Sequence, residues 1–323
     1  MIISLSYKSK QFFFVLIKLS IVLFAFYFIY NKLMNNPDLD FNDFMILLNK
    51  NDAFSLKNVS FLLFLTFFNW FLEILKWQKL VSSIKKISLK KALEQNLGAF
   101  TASLFTPNRI GEYGAKAVYF SSNDRKHIVL LNLLGNMAQM SVTVILGAIG
   151  LTLFIINYNI ELNHHKLASL IAIVIVLIAL IGSRIKKILL KVRVVYLQKV
   201  FRFIKELSVK THIFNWGFSL LRYLIFSFQF YYLLVIFGFN ISYGNAMVII
   251  SSMYLLTSVI PSILIFDVVV KGSVAVYLFS IIGISQFSIL CIVMLMWMLN
   301  FVLPSIFGSF YVLNFNLPKN ETV

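Results

Sequence analysis

The sequence predicts an all-α polytopic membrane protein built from two inverted repeats, each holding a broken re-entrant helical hairpin. Three observations lead there. The 323-residue chain is 60% hydrophobic and 13% charged, whereas a soluble domain carries roughly 25% charge. Apolar runs close to the ~20 residues that cross a bilayer recur along it. Two further apolar stretches are interrupted by proline and carry an acid with a lysine four residues later, Glu112/Lys116 and Asp267/Lys271. Ionisable residues in such stretches are expensive to insert and mark candidate sites. Paired, proline-broken segments in two halves of a chain point to a transporter-type site.

Residues 12–30 form the first apolar run. Lys8 and Lys10 precede it and no small-residue cleavage site follows, so it reads as a retained span rather than a signal peptide. Segment 31–57 carries Asp38, Asp40, Asp43 and Asp52 and should lie outside. Its 41–54 portion has the spacing of a short surface helix. Further spans are expected at 58–77, 127–156, 167–183, 212–238 and 286–313, with 157–166 outside. The whole is one integral membrane domain. It comprises an N-terminal span and outer loop (1–57), repeat 1 (58–156), a connecting span with a basic segment (157–211), repeat 2 (212–313) and a tail (314–323).

Two stretches do not fit simple spans. Residues 92–120 break at Thr106-Pro107-Asn108-Arg109-Ile110-Gly111, and basic residues flank them on both sides. Residues 244–282 break at Ile260-Pro261-Ser262 between uncharged flanks. The first should dip in from the cytoplasm and the second from the opposite face. Non-helical backbone at that depth needs a protein-lined or water-filled setting. The echo runs further. Phe68-Asn69-Trp70 precedes Lys76-Trp77, and Phe214-Asn215-Trp216 precedes Arg222-Tyr223 at the same spacing. A near-constant interval relates Asn69 to Asn215, Pro107 to Pro261 and Lys116 to Lys271, which argues for duplication. Arg222 falls inside the span 212–238. Either that helix starts earlier or Arg222 is an intramembrane cation.

The net charge of +17 concentrates between Lys76 and Lys91 and between Arg184 and Lys210. Both clusters flank spans, so they read as the positive-inside bias and not as a nucleic-acid surface. They could also hold anionic headgroups. Cys291 is the only cysteine, so an intrachain disulfide or thiolate metal cluster is excluded. The adjacent His164 and His165 suit a solvated loop better than a metal site. No cofactor motif occurs.

The break at Pro107–Gly111 should start a half-helix near Gly111. A helix N-terminus attracts anions. Arg109, just before it, offers a fork that matches phosphate, and Lys116 follows one to two turns in. Glu112 can pair with Lys116. Two readings stand for Glu112/Lys116 and for Asp267/Lys271: a substrate site, or self-neutralising pairs that make insertion tolerable. Asn69, Glu73 and Lys76 are either site groups or anchors at a span end. Asn136 and Gln139 suit interhelical hydrogen bonding. Arg222 and Gln229 share a helix face and could line a cavity.

Asn69-Trp70 with Glu73 and Lys76-Trp77, then Pro107-x-Arg109-x-Gly111-Glu112, Gly135-Asn136, and Pro261 with Lys271-Gly272-Ser273 resemble the lysylphosphatidylglycerol synthase transmembrane-region family, also called the flippase-like domain family. The resemblance implies a domain that moves lipids across the cytoplasmic membrane. Because the chain ends at Val323, no synthase activity is expected of it. The expected partner is a membrane lipid with an anionic headgroup. Alternatives are an accessory, lipid-binding subunit of an envelope glycosyltransferase and a small-anion transporter.

The lysine and arginine asymmetry predicts that 80–91, 184–210 and both termini are cytoplasmic and 157–166 is outside. Single cysteines replacing Lys86, Lys187 and Asn163 in a Cys291→Ser background test this. An impermeant thiol reagent added to intact cells should reach only the Asn163 position. Equal labelling of all three would refute the topology.

Overall fold

The structure is a computed structural model that describes residues 55–104, 109–158, 202–260 and 267–315, with a few isolated positions besides. The expected spans 12–30 and 167–183, nearly all of the outer segments, Pro107, Pro261 and the side chain of Asp267 lie outside the described residues. Among the described residues every regular element is helical. α1 spans Leu56–Val81, α2 Leu89–Ala102, α3 Ile110–Ala117, α4 Arg125–Asn157, α5 Val209–Ile236, α6 Tyr243–Val259 and α7 Asp267–Ser280. α8 spans Gln286–Trp297, and a π-helical turn over Met298–Val302 joins it to α9, Leu303–Asn314. Among the described residues, four helical segments are long and apolar enough to cross a membrane: α1, α4, α5 and the composite α8–α9. Each of the stretches 92–120 and 244–282 resolves into two shorter helices, so the order long, short, short, long occurs twice.

Serine starts five of these helices. Ser55, Ser88, Ser208, Ser242 and Ser285 each accept a hydrogen bond from a backbone N–H three residues on. Such caps satisfy donors that a helix start leaves unpaired. The π turn also has a local cause. Pro304 has no N–H to give to the carbonyl of Asn300, and its ring crowds that carbonyl. The helix widens there instead of breaking.

Contacts fix the relative directions of the helices. α1 and α5 run antiparallel. Tyr232 Oη donates to Asn58 Oδ1 at 2.8 Å, Gln229 Nε2 to Thr66 Oγ1 at 2.8 Å, and Lys79 Nζ lies 5.0 Å from the Phe214 ring. α4 runs alongside α5 in the same direction, with Asn215 Nδ2 donating to the Leu134 carbonyl at 3.1 Å. The end of α1 and the starts of α4 and α5 therefore share one end of the bundle. Lys79, Lys85, Lys86, Lys90, Lys91, Arg125, Lys126, Lys205 and Lys210 collect there. Beneath them an apolar cluster of Trp77, Leu80, Val81, Ala92, Phe120, Ile128 and Leu131 ties that end together.

From this basic end α2 runs inward. Gln95 meets Trp77, and Phe100 meets Trp70 near the middle of α1; α3 returns. From the other end α6 runs inward. Tyr243 packs on Tyr231, and Tyr254 packs on Phe226 near the middle of α5; α7 returns, its Phe279 stacked on Phe230. α8 and α9 traverse the whole bundle, ending with Phe315 against Tyr119.

Small residues let the helices approach closely. Gly147 and Gly150 of α4 face Leu255 and Ser251 of α6, and Gly308 of α9 faces Thr101 and the Leu97 carbonyl of α2. In lipid, helices associate through such close packing because apolar side chains gain nothing by leaving the tails. The outer surface fits that solvent. Met137, Met140, Val144, Ile145, Ile149 and Ile156 of α4 are exposed, a stripe that in water would be an aggregation surface. The protein is a multi-pass membrane protein.

Gly308→Leu should overpack the α2–α9 contact and cost about 1–3 kcal/mol or more. Gly217→Leu meets open space and should cost little. Thermal unfolding of both variants in detergent checks this; equal midpoints would show that the close approach carries no stability.

Candidate functional site

The candidate site is a cavity of about 400 Å³ in the middle of the bundle. Asn69, Glu73, Lys76, Arg109, Asn136, Gln139 and Thr143 from the first half reach it. Arg222, Lys271 and Asn300 from the second half face them across it. Val268 and Lys271 at the start of α7, and Arg109 at the start of α3, bring both short-helix pairs to this one cavity. Trp70, Phe100, Phe226, Phe230, Trp297 and Phe301 supply an aromatic wall. Polarity divides by element. α1, α4 and Arg109 ahead of α3 contribute mostly charged and polar groups, α6 contributes Met253 and the hydroxyls of Tyr254, Thr257 and Ser258, and α8 contributes Val293, Met296 and Trp297.

Arg222 is an intramembrane cation with dedicated partners. Its Nη1 forms an ion pair with Glu73 Oε2 and a 3.3 Å hydrogen bond to Gln139 Oε1. Its Nε donates to Asn69 Oδ1 at 3.2 Å. Glu73 Oε2 also pairs with Lys76 Nζ at 2.7 Å. One carboxylate thus neutralises two cations in surroundings where an unpaired charge would be costly. The polar chain continues: Asn69 Nδ2 donates to Asn300 Oδ1 at 3.3 Å, and Asn300 Nδ2 donates to Gln229 Oε1 at 2.8 Å. It links α1, α4, α5 and the π turn.

A second ionic group lies beside it. Arg109 Nη2 pairs with Glu112 Oε2 at 2.7 Å, and Lys116 Nζ pairs with Glu112 Oε1 at 2.8 Å. Lys116 Nζ also donates to Asn132 Oδ1 at 3.0 Å and sits 4.2 Å from the Trp77 ring. Arg109 has φ 58°, the one positive φ at a non-glycine among the described residues. Such a conformation is uncommon for a residue with a Cβ. It starts α3 and stacks the guanidinium on Phe100, 4.9 Å from the ring. Gly111 donates its N–H to Thr106 Oγ1 at 2.9 Å. A Cβ on Gly111 would come 2.7 Å from Thr106 Cγ2, so only glycine leaves room for this cap.

The predicted residues fall into three groups. Arg109, Asn69, Glu73, Arg222 and Lys271 line the cavity. Glu112 and Lys116 pair as the spacing indicates, but Lys116 is fully buried against Asn132 and Trp77. It braces Glu112 beneath Arg109 and does not line the cavity; the cations that line it with Arg109 are Lys76, Arg222 and Lys271. Gln229 supports Asn300 from behind the cavity wall. Asp267, Pro107 and Pro261 are outside the described side chains. Asn300 and Trp297 were not foreseen. The signal for Asn300 was an isolated amide four residues before Pro304 in an otherwise apolar run.

The cavity lining carries Lys76, Arg109, Arg222 and Lys271; Lys76 and Arg222 share Glu73, and Arg109 shares Glu112 with Lys116 behind the lining. Two cations to each of these carboxylates leave a positive excess, which favours an anion. Arg109 Nε and Trp297 Nε1 are buried without a hydrogen-bond partner among the described residues. No group of three or more His, Cys, Asp or Glu side chains that could hold a metal ion occurs among the described residues.

Residues 15–308 match the family described as the lysylphosphatidylglycerol synthase TM region. The chain belongs to that family, which ties it to membrane lipid and represents the membrane part of the synthase. Comparisons with curated proteins and with solved structures find no match.

Glu73→Gln should strand Lys76 and Arg222 as uncompensated buried cations and cost about 3–5 kcal/mol. Adding Arg222→Gln should recover part of that loss, because the two sites are directly coupled. Thermal unfolding in detergent is the measurement. Additive losses in the double variant would mean the ion pair carries no coupling.

Proposed function

We propose that this protein is a translocase that moves a lipid with a phosphate-bearing headgroup across the cytoplasmic membrane. Both termini face the cytoplasm in this reading. The observation that carries it is the mid-bundle cavity, where four cations from both halves of the chain converge beside an aromatic wall. A phosphate needs the first feature and a lipid's glycerol and chains suit the second. Arg109 and Arg222 offer planar guanidinium donors for the phosphate. Membership of the lysylphosphatidylglycerol synthase TM family supports the choice of lipid as substrate.

In this proposal the short-helix pairs are re-entrant. α2, α3, α6 and α7 are each shorter than the ~20 residues needed to cross the hydrocarbon. Each pair enters from its own end of the bundle, turns at the cavity and leaves by the same face, as in inverted repeats. Broken backbone at that depth is tolerated where it abuts a polar cavity. The headgroup would pass between the two turns while the tails stay in lipid. A small-anion carrier has no use for so large an aromatic surface, which favours the lipid reading. An accessory subunit would bind such a lipid without moving it, so transport has to be measured directly.

The test is a headgroup-accessibility assay in liposomes containing the purified protein, screened over several anionic lipids. Protein-dependent exchange between leaflets is expected for at least one of them; none would refute translocation. Arg109→Lys should impair it although the charge is kept. Losing the fork costs roughly 1.5–3 kcal/mol, or about 10- to 100-fold in binding. Unchanged rates with equal amounts of folded protein would remove Arg109 from the phosphate grip.

A further inference from the structure

Glu73 with Lys76 on α1, and Glu112 with Lys116 on α3, are each an ion pair within one helix. Each is neutral by itself, and the two lysine side chains are 2% and 1% exposed. A buried charge needs one opposite charge beside it. Yet each carboxylate holds a second cation, Arg222 from α5 and Arg109 from the position ahead of α3. The arginines are surplus to neutrality, and they are the accessible members, 17% and 36% exposed. Both line the central cavity. Glu73 takes Nη1 of Arg222 and Glu112 takes Nη2 of Arg109. The other terminal nitrogen of each guanidinium is in no ion pair among the described residues.

Each cluster therefore carries one net positive charge, and the cavity receives two. Lys271 lines it as well. Setting Lys271 against Asp267, the acid four residues earlier, removes only that lysine's charge and leaves both clusters as they are. Surplus charge inside a membrane is costly, and a ligand of matching charge relieves the cost. We infer, taking the cavity as the lipid headgroup site proposed for it, that the headgroup carries two negative charges on phosphate. A phosphate monoester is close to that charge at neutral pH. A singly charged phosphodiester would match one arginine and leave the other uncompensated, and an ammonium on the headgroup would add to the surplus. A dianion can accept from both guanidinium forks at once.

Two soluble probes that differ by one methyl group and one charge test this: short-chain phosphatidic acid and its methyl ester, phosphatidylmethanol. Binding to the purified full chain in detergent is measured by calorimetry. The acid has a second pKa of about 6, so it is mostly doubly charged at about pH 7.5 and mostly singly charged at about pH 5. The ester carries one charge at both. At the higher pH the acid should bind about tenfold tighter than the ester, or better. At the lower pH the two affinities should converge. No histidine lines the cavity among the described residues, and the ester reports any titration of the protein itself. Arg109→Gln should narrow the gap at the higher pH, because Glu112 keeps Lys116 and that cluster becomes neutral. Equal binding of the two probes at the higher pH would overturn the inference. So would a preference that persists at the lower pH, one untouched by Arg109→Gln, or loss of both probes alike in that variant. If the unmodified protein binds neither probe, the headgroup reading falls and this inference with it, whereas equal binding of both leaves that reading standing.

Discussion

Everything in the bundle's interior answers to one constraint: a carboxylate and two cations must be kept paired where water is scarce. Glu73 on α1 lies between Lys76 on the same helix and Arg222 on α5. Leaving any of the three alone would cost several kcal/mol. That requirement sets the register of α1 against α5 more sharply than apolar packing can, since a Leu or Phe finds equivalent surroundings one turn away. Asn69, Gln139, Asn300 and Gln229 then complete the hydrogen bonds around the ions. The widened turn ahead of Pro304 puts Asn300 where Asn69 and Gln229 can both reach it.

The second ionic group solves a related problem for a short helix. α3 has eight residues, too few to be stable alone. Glu112 holds Arg109 on one side and Lys116 on the other, and Lys116 fastens the helix to Asn132 on α4 and to the face of Trp77 on α1. The pair is therefore structural, and its carboxylate also holds the cavity-lining Arg109. Its buried half anchors α3, and its exposed half aims Arg109 over Phe100 into the cavity. The pair is self-neutralising, and the same carboxylate positions Arg109 at the cavity.

Around these polar centres the remaining helices are held by fit. Glycines at 147, 150 and 308 remove side chains where α6 and α2 approach, and aromatic rings fill the space about Phe100, Phe301 and Trp297. α4 illustrates the division of labour. One face binds α5 and α6, while the opposite face shows methionine, valine and isoleucine to lipid. The two short-helix pairs reach the cavity at their inner ends, through Arg109 at the start of α3, Ser258 near the end of α6 and Val268 at the start of α7.

Much of this was legible in the chain itself because the signals are local. Apolar length announced α1, α4, α5 and α8–α9; the i,i+4 spacing announced the Glu112–Lys116 pair; the run from Thr106 to Gly111 announced the start of α3. Arg222 stood out as a cation inside a span. What the sequence could not say was who its partner is, since Glu73 lies 149 residues away and nothing local joins them. Nor could it tell that Lys116 turns inward while Arg109 faces the cavity, or that Asn300 belongs to the polar network. In helices apolar on nearly every face, the sequence carries little mark of which face meets which neighbour. Only the packed arrangement, driven by the need to pair buried charge and to seat glycines against backbone, made that choice.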